Sequence, residues 1–100
     1  MSDVQAATGT FTTEGDAWRF DGALTFDDAA AVFAASQGVA LPAGGVVDFA
    51  RMTRADSTAL AIVIALKRRA TAEGRTLRVE NLPQSLRSLA TVYGVDNLID

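Results

Sequence analysis

The chain of 100 residues contains no cysteine and no histidine. Without cysteine there is no disulfide, no thiolate nucleophile and no thiolate-ligated zinc; without histidine there is no imidazole base and the commonest metal ligand is missing. Proline occurs only twice, and the longest unbroken apolar run, Ala59 to Leu66, has eight residues, whereas a bilayer-spanning helix needs about twenty. The start, Met1 to Thr10, holds no basic residue and no apolar stretch of the kind a secretory signal carries, so residues 1–7 read as a frayed lead-in. Basic patches interleaved with aromatics are absent too, and Lys and Arg number 9 against 12 Asp and Glu. Nucleic acid is therefore not the expected partner, because phosphate neutralisation dominates that affinity.

What is present suits one globular domain over residues 1–100. With 49% hydrophobic and 21% charged residues, the chain buries enough surface for one core and not for two. Charge is unevenly placed: residues 1–50 hold seven acids and a single base, Arg19, whereas residues 51–100 hold eight bases and five acids. Such a polarity suits a protein partner.

Local patterns give the element order. Phe11 to Glu14 and Trp18 to Phe20 are rich in aromatic and β-branched residues and flank Gly15-Asp16, which predicts a β-hairpin. Thr25, followed by Asp27 and Asp28, has the chemistry of a helix N-cap with acids at the positive end. From there Phe26, Ala29, Ala30 and Phe33 recur at helical spacing to about Ser36, predicting an apolar stripe that lies on a sheet. Gly45 to Phe49 reads as an apolar strand, and Arg51 to Ala55 as a polar connection. Asp56 or Ser57 then caps a helix over about Ser57 to Glu73, stopped by Gly74. Arg75 to Glu80 alternates as a strand, with Leu77 and Val79 on one face. Pro83 suits the first turn of a third helix, whose apolar face holds Leu82, Leu86, Leu89, Ala90 and Tyr93, with Gly94 as its stop. Val95 to Ile99 is a short apolar tail. The order β-β-α-β-α-β-α predicts an α/β fold with a mixed sheet covered by about three helices.

Chemical motifs are few. Gly44-Gly45 precedes a strand rather than following one, and no glycine-rich loop ends in Lys-Ser or Lys-Thr, so no nucleotide signature is met. Asp27-Asp28 resembles a paired carboxylate, but the helix macrodipole explains acids at a helix start. Asp48 and Asp56 are carboxylates without a nucleophile and base to work with, so no enzyme, cofactor or metal is expected. The Ala59 to Leu66 run is more informative, because it shows no polar stripe for two turns. Either that helix is buried all round or its outer face meets a partner, with Ala61 and Ala65 small enough to permit close approach. Ser57 and Thr58 at its start are ordinary capping residues, and they also stand where a phosphoryl group is stabilised by free amides or disrupts a docking surface beside it. Arg51, Arg54 and Lys67-Arg68-Arg69 have the charge to steer an acidic partner to the same region.

A resemblance joins these segments. Val46-Val47-Asp48-Phe49, then Asp56-Ser57-Thr58-Ala59-Leu60-Ala61, is similar to the strand, loop and helix start of STAS domains, the fold of anti-sigma-factor antagonists. Gly74 before a strand, then Leu82-Pro83, Leu86, Leu89-Ala90 and Tyr93-Gly94-Val95, resembles more specifically the MlaB-type STAS domains, cytoplasmic subunits of Mla phospholipid ABC transporters in Gram-negative envelopes. The similarity covers roughly residues 8–99. It implies a non-catalytic accessory subunit, peripheral to the inner membrane, that binds an MlaF-like ATPase and through it an MlaE-like permease, in the maintenance of outer-membrane lipid asymmetry. Asp56, Ser57, Thr58, Ala61 and Ala65 are then the partner-binding candidates, Ser57 being the docking hydroxyl, and a homodimer is the alternative when the partner is missing. An anti-sigma-factor antagonist regulated by phosphorylation at Ser57 or Thr58 is the other function the resemblance implies. Ala59 departs from it, standing where those antagonists carry Gly after the phosphoacceptor.

Overall fold

A computed structural model describes residues 8–99; the lead-in expected over residues 1–7 lies outside them. Four strands and four helices follow in the order β1 (Thr10–Glu14), β2 (Ala17–Leu24), α1 (Phe26–Gln37), β3 (Val46–Ala55), α2 (Ser57–Ala72), β4 (Arg78–Glu80), α3 (Gln84–Val92) and α4 (Asp96–Ile99). The strands form one mixed sheet in the order β1-β2-β3-β4, with β1 antiparallel to β2 and the other neighbours parallel. The predicted α/β class and element order are those observed, with α4 in place of the apolar tail.

The hairpin forms because Gly15 takes φ +63° in a two-residue turn, the conformation that matches strand twist. From β2 the chain crosses through α1 to β3, and from β3 through α2 to β4, each crossover moving one strand along in the same direction. Right-handed crossovers then place both helices on one face of the sheet. Burial follows: Trp18, Phe20, Val47, Phe49 and Val79 are buried beneath Val32, Leu60, Val63, Leu66, Leu86 and Ala90. The alternate residues form a polar open face, where Arg19 pairs with Glu14 at 3.2 Å and Arg78 with Glu80 at 2.8 Å.

Arginines fasten the loop between α1 and β3. Arg69 of α2 donates to the carbonyls of Ser36 (2.9 Å) and Val39 (2.7 Å), and Arg75 donates to those of Leu41 and Pro42. These bonds satisfy carbonyls at and beyond the end of α1, which a helix leaves without internal partners.

Four expectations are corrected. Arg51 to Ala55 is not a connection but the second half of β3. Because β4 pairs only with Val46 to Asp48, the far half of β3 has one open edge and its charged side chains stay in solvent. The strand expected over Arg75 to Glu80 is shortened to Arg78–Glu80, Arg75 being turned to the α1 to β3 loop. Of the stripe predicted on α1 only Ala29 packs on the core, beside the buried Val32 and Ser36, whereas Phe26 is 77% exposed, Ala30 is exposed and Phe33 is 38% exposed. Tyr93 is likewise exposed, and the core position at that end belongs to Ile99.

Candidate functional site

The starts of α1 and α2 meet at one carboxylate. Asp56 is the N-cap of α2: its Oδ1 accepts from the Thr58 amide at 2.9 Å and from the Thr58 hydroxyl. Its Oδ2 accepts from the Phe26 amide, the first of α1, at 2.9 Å. Asp56 thus satisfies unpaired amides on two helices. These hydrogen bonds, that of the Thr58 hydroxyl foremost, hold its carboxyl below the usual aspartate range, against burial and the nearby Asp28.

Asp28 does the corresponding work one turn inside α1. It completes a capping box with Thr25, accepting from its amide (3.0 Å) and hydroxyl (2.8 Å), and accepts from the Thr8 hydroxyl at 2.8 Å. Bonding to Thr25 lowers its pKa. Asp27-Asp28 is therefore a capping arrangement, as the macrodipole suggested. Asp48 is held by the Asn81 side-chain amide (2.9 Å) and the Ala50 amide (2.8 Å), in that order the causes of its lowered pKa. It lies near the start of β3 and Asp56 just beyond its end, so an extended strand keeps these two carboxylates from acting on one substrate.

Around the junction the predicted residues separate by exposure. Ser57 and Ala61 are exposed, Thr58 and Ala65 half-buried, and Ala59, Leu60, Ile62, Val63 and Leu66 face the core. The apolar run therefore has two sides: five residues pack on the sheet, while Ser57, Ala61 and Ala65, four residues apart, line the outer face. The Ser57 hydroxyl has no hydrogen bond among the described residues, whereas that of Thr58 is engaged by Asp56. Next to Ser57 stands Phe26, its ring in solvent and its amide bound to Asp56.

The family described as "Mlab, STAS domain" matches residues 10–100. The chain belongs to the STAS family, in its MlaB type. No curated protein matches closely enough to count as a relative. STAS domains are in general regulatory or accessory rather than catalytic, and no helix among the described residues of this STAS domain is long and apolar enough to cross a membrane.

Sequence reasoning missed two parts of the site. Phe26 and Phe33 have the size and helical spacing of core residues; the sign of their true place is Ala29, Val32 and Ser36 on the other side of α1, small residues that suffice for the sheet-facing side. The bond from Asp56 to the Phe26 amide spans thirty residues of sequence and has no local signal.

Proposed function

We propose that this STAS domain is the accessory subunit of an Mla-type phospholipid ABC transporter and that it docks on the ATPase subunit through the joined starts of α1 and α2. The observation that carries this reading is the exposed surface of the two joined helices: Phe26 and Phe33 exposed on α1, with Phe26 tied to Asp56, and Ser57, Ala61 and Ala65 in line on the outer face of α2. A solvent-facing helix surface is ordinarily polar, and an apolar patch with an aromatic anchor and small neighbours is the usual character of a protein interface. Asp56 fixes the two helices relative to each other, so the surface meets its partner already ordered, which lowers the entropic cost of association. By this reading the domain does no chemistry of its own, sits in the cytoplasm and reaches the inner membrane only through the transporter.

Co-expression with the cognate ATPase tests it. Ser57→Asp, Ala61→Glu and Phe26→Asp each place a charge on the surface without touching the core, and each is expected to reduce ATPase recovery at least about tenfold, an effect of about 1.4 kcal/mol, with circular dichroism unchanged. Undiminished recovery from all three variants contradicts the interface.

The anti-sigma-factor antagonist reading retains one favouring observation, the exposed and unbonded Ser57 hydroxyl at the start of α2. Incubation with ATP and a cognate anti-sigma kinase, followed by intact mass, decides it: one added phosphate on wild type and none on Ser57→Ala supports the switch. Thr58 is the less suited acceptor, because its hydroxyl is half-buried and donates to Asp56.

A further inference from the structure

A second surface lies on the other side of α1, where its C-terminal half overhangs the sheet edge. Among the described strands β1 is an edge. Its two-residue hairpin turn and the pairing of Glu14 with Ala17, Thr12 with Arg19 and Thr10 with Asp21 direct the main-chain groups of those three residues inward. Those of Phe11 and Thr13 then point away from β2, without a main-chain partner among the described residues. Natural edge strands are usually blunted by proline, lysine or a bulge; β1 reads Thr-Phe-Thr-Thr-Glu and has none of these.

Directly beside this edge is a pocket of about 150 Å³ lined by Phe11, Thr13, Trp18, Ala35 and Val39 among others, close to the size that accepts one benzene-sized group. Phe11 and Thr13 supply both the free main-chain groups and part of the pocket wall. A strand added to β1 carries residues opposite Phe11 and Thr13 with side chains on the same face of the sheet, the helix side, where the pocket opens. At the hairpin end Asp16 is exposed in the turn, Glu14 stands at the same edge on the open face, paired with Arg19, and β1 itself has no cation.

We propose that the groove between β1 and the C-terminal half of α1 binds an extended peptide segment of a partner protein by strand addition, with an aliphatic or aromatic side chain in the pocket and a basic residue toward the hairpin. Main-chain hydrogen bonds to Phe11 and Thr13 give the affinity, and the pocket gives the selection. This surface is separate from the joined helix starts, so the proposal stands apart from the transporter reading.

The test uses the full chain labelled with ¹⁵N and a peptide mixture of the form acetyl-Lys-X-Thr-X-Lys-amide, with X being Val, Ile, Leu or Phe. Saturable shifts confined to β1 and to Ala35 through Val39, with slowed exchange of the Phe11 and Thr13 amides, are the expected result. Thr13→Pro, which removes one outward donor at a position where an edge strand tolerates proline, and Val39→Asp, which charges the pocket wall, are each expected to weaken binding at least about tenfold. Two variants of different kind keep the test informative if Thr13→Pro fails to fold. The proposal is overturned by no saturable shift up to about 1 mM peptide, the weak end of specific affinity, by shifts elsewhere, or by binding that survives Val39→Asp. It is also overturned if the Phe11 and Thr13 amides are already protected in the free chain, either at all concentrations, marking the chain's own segment as occupant, or only at high concentration, marking a second copy.

Discussion

Replacing Asp56 by alanine removes the acceptor that two helices share. The N-cap of α2 contributes about 1 kcal/mol, from a range of roughly 0.5–2. The bond from the Phe26 amide to the other carboxylate oxygen, 2.9 Å long, belongs to the charge-assisted class worth about 1.5–3 kcal/mol when shielded. Its exposed setting reduces it to about 1 kcal/mol. The loss is therefore about 2 kcal/mol, which for a domain of this size lowers Tm by roughly 8–16 °C. Asn at the same position has one carbonyl oxygen and turns an amide toward the second donor, so it keeps one bond and loses about half as much. Urea denaturation of wild type, Asp56→Asn and Asp56→Ala, followed by circular dichroism, is expected to order the three in that sequence. A loss below about 0.5 kcal/mol in Asp56→Ala, the level of an ordinary surface change, refutes the view that this carboxylate ties the helix starts together.

Acid is expected to destabilise the fold with a defined sign. Asp28, Asp48 and Asp56 have pKa values lowered by hydrogen bonds to the folded chain, so the unfolded state binds more protons and stability rises with pH through that window. The contribution is present above the unfolded aspartate value near 4 and is lost as pH falls through the folded values; with no histidine in the chain, stability is expected to be flat from about pH 5 to 8 and to fall below it, less steeply in Asp56→Asn. A loss of stability between pH 5 and 7 contradicts this assignment. Arg69→Ala removes the guanidinium donor from the carbonyls of Ser36 and Val39 and is expected to cost about 1–2 kcal/mol in urea melts, with ATPase recovery retained, because the arginine lies at the far end of both helices from Ser57.

The legible parts of this molecule were those with local causes. Gly15-Asp16, Thr25 with Asp28, Asp56 before a helix and Gly74 after it state their turns and caps within a few residues, and the capping geometry is as read. The apolar run at Ala59 to Leu66 left open whether α2 is buried all round or keeps an outer face, and the burial pattern gives it an outer face at Ser57, Ala61 and Ala65. The misread parts depend on what packs against them. Arg51 to Ala55 is too polar for a covered strand, and it is a strand because β2 pairs along it while β4 does not. Phe26 and Phe33 have the size of core residues, and only the small Ala29, Val32 and Ser36 on the opposing side of α1 show that the sheet needed a thin face there. Tyr93 yields its place to Ile99 because the chain turns back into α4, a return that follows the glycine stop and has no signal before it.

The central claim is that the joined starts of α1 and α2 dock an ABC transporter ATPase. Its most direct measurement is affinity capture of the tagged chain from its native membranes and cytoplasm, wild type beside Ser57→Asp and Ala61→Glu, with bound proteins identified by mass spectrometry. The account predicts that wild type recovers an ABC ATPase together with its permease and that both variants lose them while remaining folded. Recovery of an anti-sigma kinase in place of the ATPase, or equal ATPase recovery by all three proteins, contradicts it.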